Sequence, residues 1–133
     1  MSSAVRLANS RKTDRINLLL NWLAGGKIVI YDGAIPADAN AALSGQTEIV
    51  AFDPLPEPAG TVTGATFTLS TQPPAMIASS GSPDFARAFD AEGAVIGDFD
   101  VGAAGSGAAI ILDQAELLSG ALVSIVSFAV SEA

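Results

Sequence analysis

The side chains able to do chemistry in this chain are almost all carboxylates. Asp98 and Asp100 flank Phe99 and share one side of an extended segment, and Asp90 and Glu92 sit in the turn before it. Oxygen ligands at that spacing suit Ca²⁺. A full loop closing on a bidentate Glu is missing, however, and Asp favours turns because its side chain bonds nearby backbone. The balance favours solvated strand and turn carboxylates over a metal site. A paired-carboxylate hydrolase needs two acids in one cleft with separated pKa values, and no spacing here singles out such a pair.

His and Cys are both absent from the 133 residues. That removes disulfides, thiol nucleophiles, imidazole bases and the usual zinc ligands together. A serine nucleophile would have only Lys12, Lys27 or a carboxylate as its base. The glycine run around Ser106 does not match a phosphate loop, since no Lys follows it. The expectation is a protein without catalytic residues, metal or cofactor.

Half of the residues are hydrophobic and only 15% are charged, which suggests that part of a small surface is covered by something else. The net charge is −8 and the pI is near 4.1, against nucleic-acid binding by the body of the protein. The distribution is uneven. Arg6, Arg11, Lys12, Arg15 and Lys27 face only Asp14, giving +4 through residue 27; beyond it Arg87 stands against thirteen acids, giving −12. The N-terminus has the basic-then-apolar order of a signal peptide, but Asn17, Asn21 and Lys27 interrupt the run and Ala24-Gly25-Gly26 is a poor cleavage site. No apolar run approaches the roughly 20 residues of a membrane helix, so neither nucleic acid nor membrane is an expected partner. Absence of Cys fits synthesis in a reducing cytosol.

The elements that must position these groups begin with a helix. Ile16, Leu19, Leu20 and Leu23 recur at the spacing of one helix face, with Thr13 as the expected N-cap. Leu18 and Trp22 fall outside that stripe, and only Asp14, Asn17 and Asn21 form a polar strip. The apolar arc is roughly 200° wide, about twice what docking on one surface requires. Gly25-Gly26 ends the helix, and 27–31 reads as a β-branched strand. One or two helical turns are expected over 36–43 and a second strand over 48–52. A proline-rich connector covers 55–60, and 61–69 reads as one strand with a bulge at Gly64.

Residues 70–83 are long for a structureless loop, and either bind something or hide a short strand near 75–78. The clearest hairpin pairs 85–89 with 94–99 across a turn ending in Gly93. A flexible run at 102–107, an apolar strand at 108–112 and a polar excursion at 113–120 follow. A last strand over 121–130 would place Val126, Phe128 and Val130 on one face. About seven strands with one leading helix predict a mainly antiparallel β-sandwich, Ig-like or jelly-roll-like. An arm and amphipathic helix over 1–26 would precede a sandwich over 27–133.

Trp22 is read either as a core anchor under the sheet or as a contact with another subunit. Arg87, between Phe85 and Phe89 on one strand face, is read as a structural partner of a carboxylate or of those rings. The candidate interface is Arg11, Lys12, Arg15, Leu18 and Trp22, with a homo-oligomer expected.

The segment Lys27-Ile28-Val29-Ile30-Tyr31-Asp32-Gly33-Ala34-Ile35-Pro36-Ala37, followed by Ala41-Ala42-Leu43, resembles a group of small tailed-phage and prophage proteins. These open with a helix, then (L/I)-x-I-Y-x-G-x-x-P-A and an Ala-rich turn. They continue with F-R-x-x-D-x-x-G-x-V-x-D-x-x-V-G, which the stretch from Phe85 to Gly102 follows with two extra residues, one at Ala86, where a large apolar residue is usual, and one between Val95 and Asp98. They close with G-x-x-V-x-I-x-S-F, matched from Gly120 to Phe128. The resemblance spans most of residues 16–131 and rests on short structural motifs. It implies a virion protein made in the host bacterial cytoplasm, a capsid decoration (cement) protein or a tail-associated component, with the major capsid protein or tail components as partners. The alternative is a carbohydrate- or receptor-binding module using the loop at 70–83, although that loop has neither Trp nor Tyr.

Overall fold

Ile16, Leu19 and Leu23 are 3%, 8% and 0% exposed in a computed structural model, so the stripe read from the sequence is the one that meets the core. The structure describes residues 9–37, 43, 45–64, 66–70, 73–114 and 116–131, with side chains from Thr13 to Val130. Helix α1 runs Asn9–Leu23 and ends at Gly25 with a φ of +70°. Because the helix starts at Asn9, Thr13 lies inside it rather than capping it. Its hydroxyl instead donates to the Gly64 carbonyl, 2.6 Å away, and ties the helix to the sheet.

The strands are β1 (Lys27–Asp32), β2 (Thr47–Phe52), β3 (Gly60–Thr63), β4 (Thr66–Leu69), β5 (Ala75–Met76), β6 (Phe85–Phe89), β7 (Val95–Ala103), β8 (Ile110–Leu112), β9 (Leu122–Val123) and β10 (Ile125–Ser131). Eight form one curled sheet in the order β2-β1-β6-β7-β8-β10-β4-β3, and β5 pairs with β9 in a small second sheet. The protein is thus mainly β with an N-terminal helix, a large sheet curled like half a barrel. Every pairing in the large sheet is antiparallel except β7 with β8.

The helix packs against β3, β4 and β6. Its apolar stripe joins Ile28, Ile30, Phe67, Ile110, Leu112 and Phe128 in one core. Phe67 and Phe99 both meet the Phe128 ring edge-on, with centroids 5.9 and 4.9 Å away. A second cluster of Val29, Tyr31 and Phe85 lies on the alternate residues of β1 and β6. There Tyr31 stacks on Phe85 at 5.3 Å, and Lys27 Nζ sits 4.9 Å over the Phe89 ring.

Several local expectations are corrected. Gly64 does not bulge one strand; with a φ of +60° it turns the chain between β3 and β4, which pair from Gly60–Leu69 to Thr63–Thr66. The glycine run begins inside a strand. β7 continues to Ala103, and the chain returns over 104–109 to lay β8 parallel to it, Val101 beside Ile110. Parallel strands ordinarily need a crossover of a dozen residues or more. Here the paired stretch is short, so the return covers only about 7–10 Å at ~3.3 Å per residue. Asp100 Oδ1 accepts the Ala109 N–H at 2.8 Å, and Ser106 N–H donates to Ala103 at 3.1 Å. A side chain on Gly102 would run into Ser106.

The last strand also departs from its alternation. A register shift lies between Ile125, opposite Leu112, and Ser127, opposite Ile111. The extra residue turns the pleat over, so Ile125 and Phe128 face the core and Val126 is 61% exposed. The loop at 70–83 does contain a strand, β5, and is pinned on both sides: Ala78 N–H donates to Ile49, and Gly81 N–H to Leu117. The helical turns expected over 36–43 fall largely outside the described residues.

Candidate functional site

Of the carboxylates along the β6–β7 hairpin, Asp98, Asp100 and Asp90 are engaged in local structure. The β6–β7 register places Asp98 opposite Arg87, and the guanidinium donates to both its oxygens, Nε to Oδ1 at 2.7 Å and Nη2 to Oδ2 at 3.0 Å. The two side chains are 3% and 8% exposed, so Arg87 is the structural partner of a carboxylate. Asp100 holds the β7–β8 return. Asp90 Oδ1 accepts the N–H groups of Glu92 and Ala94, each at 2.9 Å, and so builds the hairpin turn. Asp84 accepts from Gly33 at 2.7 Å, Asp32 from Ser82 and Asp113 from Ser124, each at 3.0 Å. Among the described residues no three carboxylates gather as metal ligands.

Tyr31, close to the Arg87–Asp98 pair, has its pKa raised above 10. Burial is the main cause; Glu48 and Asp98 add to it, and the Arg87 charge opposes it.

What the surface offers instead is a groove. Leu18 and Trp22 are 48% and 49% exposed, so Trp22 is not a core anchor. They form one wall of a hollow of about 300 Å³, with Arg15 on its rim, Ile16 and Leu19 below, and Ile96, Phe99 and Val130 opposite. The groove continues past Trp22 to Val95 and then to Asp90 and Glu92 of the hairpin turn. Small-molecule sites run from about 300 to 1,000 Å³ and enclose their ligand, whereas this groove is shallow and its walls stand half open.

Of the five residues expected at an interface, Arg15, Leu18 and Trp22 come together here. Arg11 and Lys12 precede them on α1, but their side chains lie outside the described residues. Ile96, Phe99 and Val130 were missed as a wall. Phe99 and Val130 follow strand alternation and read as core, and only the placement of the helix beside β7 and β10 leaves their edges open. A second exposed apolar group was also missed. Met76 pairs with Leu122 across β5–β9, and Leu118 stands in the adjoining turn; the three are 67%, 54% and 60% exposed. The exposed members of apolar stretches carry no sequence mark that separates them from buried ones.

Among the described residues no helix is long and apolar enough to cross a membrane. Comparison of the chain with models of protein families, with curated proteins and with solved structures finds no match.

Proposed function

We propose that this protein is a non-enzymatic virion structural protein of a tailed phage or prophage, a capsid decoration or other accessory assembly protein. One observation carries the assembly part of the reading. Leu18 and Trp22 stay half exposed on a helix whose other apolar residues are already satisfied by the core. Exposed aromatic and aliphatic groups beside a shallow groove are the features of a protein contact, where Trp supplies a large share of the binding energy. Carboxylates tied into turns and ion pairs fit a scaffold better than a reaction centre. The virion part rests on the resemblance of the 27–43, 85–102 and 120–128 segments to phage proteins of this kind.

Purified particles of the phage or prophage encoding this chain test the reading. Quantitative mass spectrometry should find the protein at a fixed ratio to the major capsid protein. Its absence from particles would remove the virion assignment, and a few copies confined to the tail tip would favour the receptor-binding alternative.

A further inference from the structure

The groove and the second apolar group have complementary properties. The groove is a hollow, and its helical rim carries Arg15, preceded on α1 by Arg11 and Lys12. Met76, Leu118 and Leu122 project from a two-stranded ribbon and its turn, a small apolar knob. The segment bearing Leu118 also bears exposed Asp113 and Glu116, with no basic residue from 88 to the C-terminus. The far end of the groove, at Asp90 and Glu92, is acidic and disfavours such a knob, so charge directs it to the Arg15 end.

The two surfaces are also distinct, the groove lying between α1 and the large sheet and the knob on the small one. Leu122 lies on β9 of the small sheet and Val130, eight residues on, lies on β10 of the large one, about 26 Å away at the most, were the chain between them fully extended at ~3.3 Å per residue. Val130 lines the groove and Leu122 belongs to the knob. A copy therefore presents two unlike apolar surfaces on different sheets, the arrangement that generates heterologous rather than isologous contacts.

We propose that copies of this chain join head to tail, the Met76–Leu118–Leu122 knob of one seated in the Leu18–Trp22–Ile96–Phe99 groove of the next. This rests on the reading of the groove as an assembly surface and names its occupant as a second copy. The knob acids meet the basic end of α1, which fixes the orientation. Repetition closes a ring, or extends a row if the rotation does not close.

The test uses the full chain and two variants at exposed positions. A knob variant carries Met76→Glu and Leu118→Glu, and a groove variant carries Leu18→Glu, which leaves Trp22 as the only Trp. Circular dichroism should show all three folded alike. In size-exclusion chromatography with light scattering, the wild-type mass should rise with concentration while each variant stays monomeric over at least a tenfold range. An equimolar mixture should form a 1:1 dimer and stop there, because a single competent knob and groove remain. Trp22 emission should shift to the blue in that mixture.

A knob variant that associates as well as the wild type would overturn the proposal in favour of groove meeting groove. A wild type that remains monomeric would overturn it too, leaving the groove to a different protein. In that last case the particle experiment separates the two readings. Loss of the groove variant from particles keeps the assembly reading, whereas its retention removes both.

Discussion

Arg87 and Asp98 form an ion pair whose two side chains are both nearly dry, and its geometry says how each substitution should behave. Replacing Asp98 by Ala leaves a buried guanidinium without its bidentate acceptor, which typically costs about 3–5 kcal/mol. Replacing both, Arg87→Met with Asp98→Leu, removes the charge and keeps the volume, so the double variant should lose much less. Urea unfolding of the three proteins checks this, and equal losses would place the strain elsewhere. Tyr31 gives a pH test at the same spot, and as the sole tyrosine it can be followed by its own ultraviolet absorbance. Its folded pKa is raised above the ordinary value of about 10, mainly by burial. Above about pH 10 an unfolded chain releases this proton while the folded one retains it. Tyr31 therefore contributes stability below pH 10 that is lost as pH climbs through its folded value. Tyr31→Phe should flatten that alkaline loss, and Glu48→Gln should lower the absorbance midpoint. The type of partner Arg87 needs was legible in the sequence, as one cation among acids. The identity of that partner required the register of β6 against β7.

The elements show the same division on a longer scale. The helix stripe, the Gly25-Gly26 stop, β1 and the β6–β7 hairpin are strong local signals, and all lie where the sequence puts them to within a few residues. The last strand does not follow its own pattern, because the shift after Ile125 interrupts the period of two. Val126→Thr should therefore change stability by no more than about 0.5 kcal/mol, as at other exposed sites. Ile125→Ala, by contrast, should cost about 2–5 kcal/mol through the cavity it opens. Strict alternation predicts the reverse order, so thermal unfolding of the two variants decides between them. Gly26 marks another constraint that no pattern reveals. A Cβ there would enter the Phe89 carbonyl where the helix-to-strand corner meets β6. Gly26→Ala should cost about 1–3 kcal/mol by overpacking.

At the scale of the whole molecule the charge divides along the sequence, +4 through residue 27 and −12 beyond it. Charges exposed at a rim are screened within about 8 Å at physiological salt, and each exposed pair is worth about 0–1 kcal/mol. The arm should then govern encounter rate and orientation, while the apolar groove governs lifetime. Replacing Arg6, Arg11, Lys12 and Arg15 with Gln should slow assembly and weaken its salt dependence, with the circular dichroism spectrum unchanged. An assembly rate indifferent to both the substitutions and salt would remove the arm from the mechanism. Loss of the folded spectrum would instead make the arm part of the core.

The class of the fold, the helix face that is buried, the excess of apolar surface beyond that face and the separation of charge were all legible in the order of residues. Each follows from composition or from short-range periodicity, which depend on a residue and its near neighbours. Tertiary structure alone decided that Phe99 and Val130 stand opposite Trp22, that Met76, Leu118 and Leu122 share a second surface, and that Asp98 faces Arg87. Those neighbours are far apart along the chain or set by strand register, and a bulge of one residue or a tight parallel return reverses which side chains meet. Burial depends on what the rest of the chain covers, and that is fixed only once the sheet has curled around the helix.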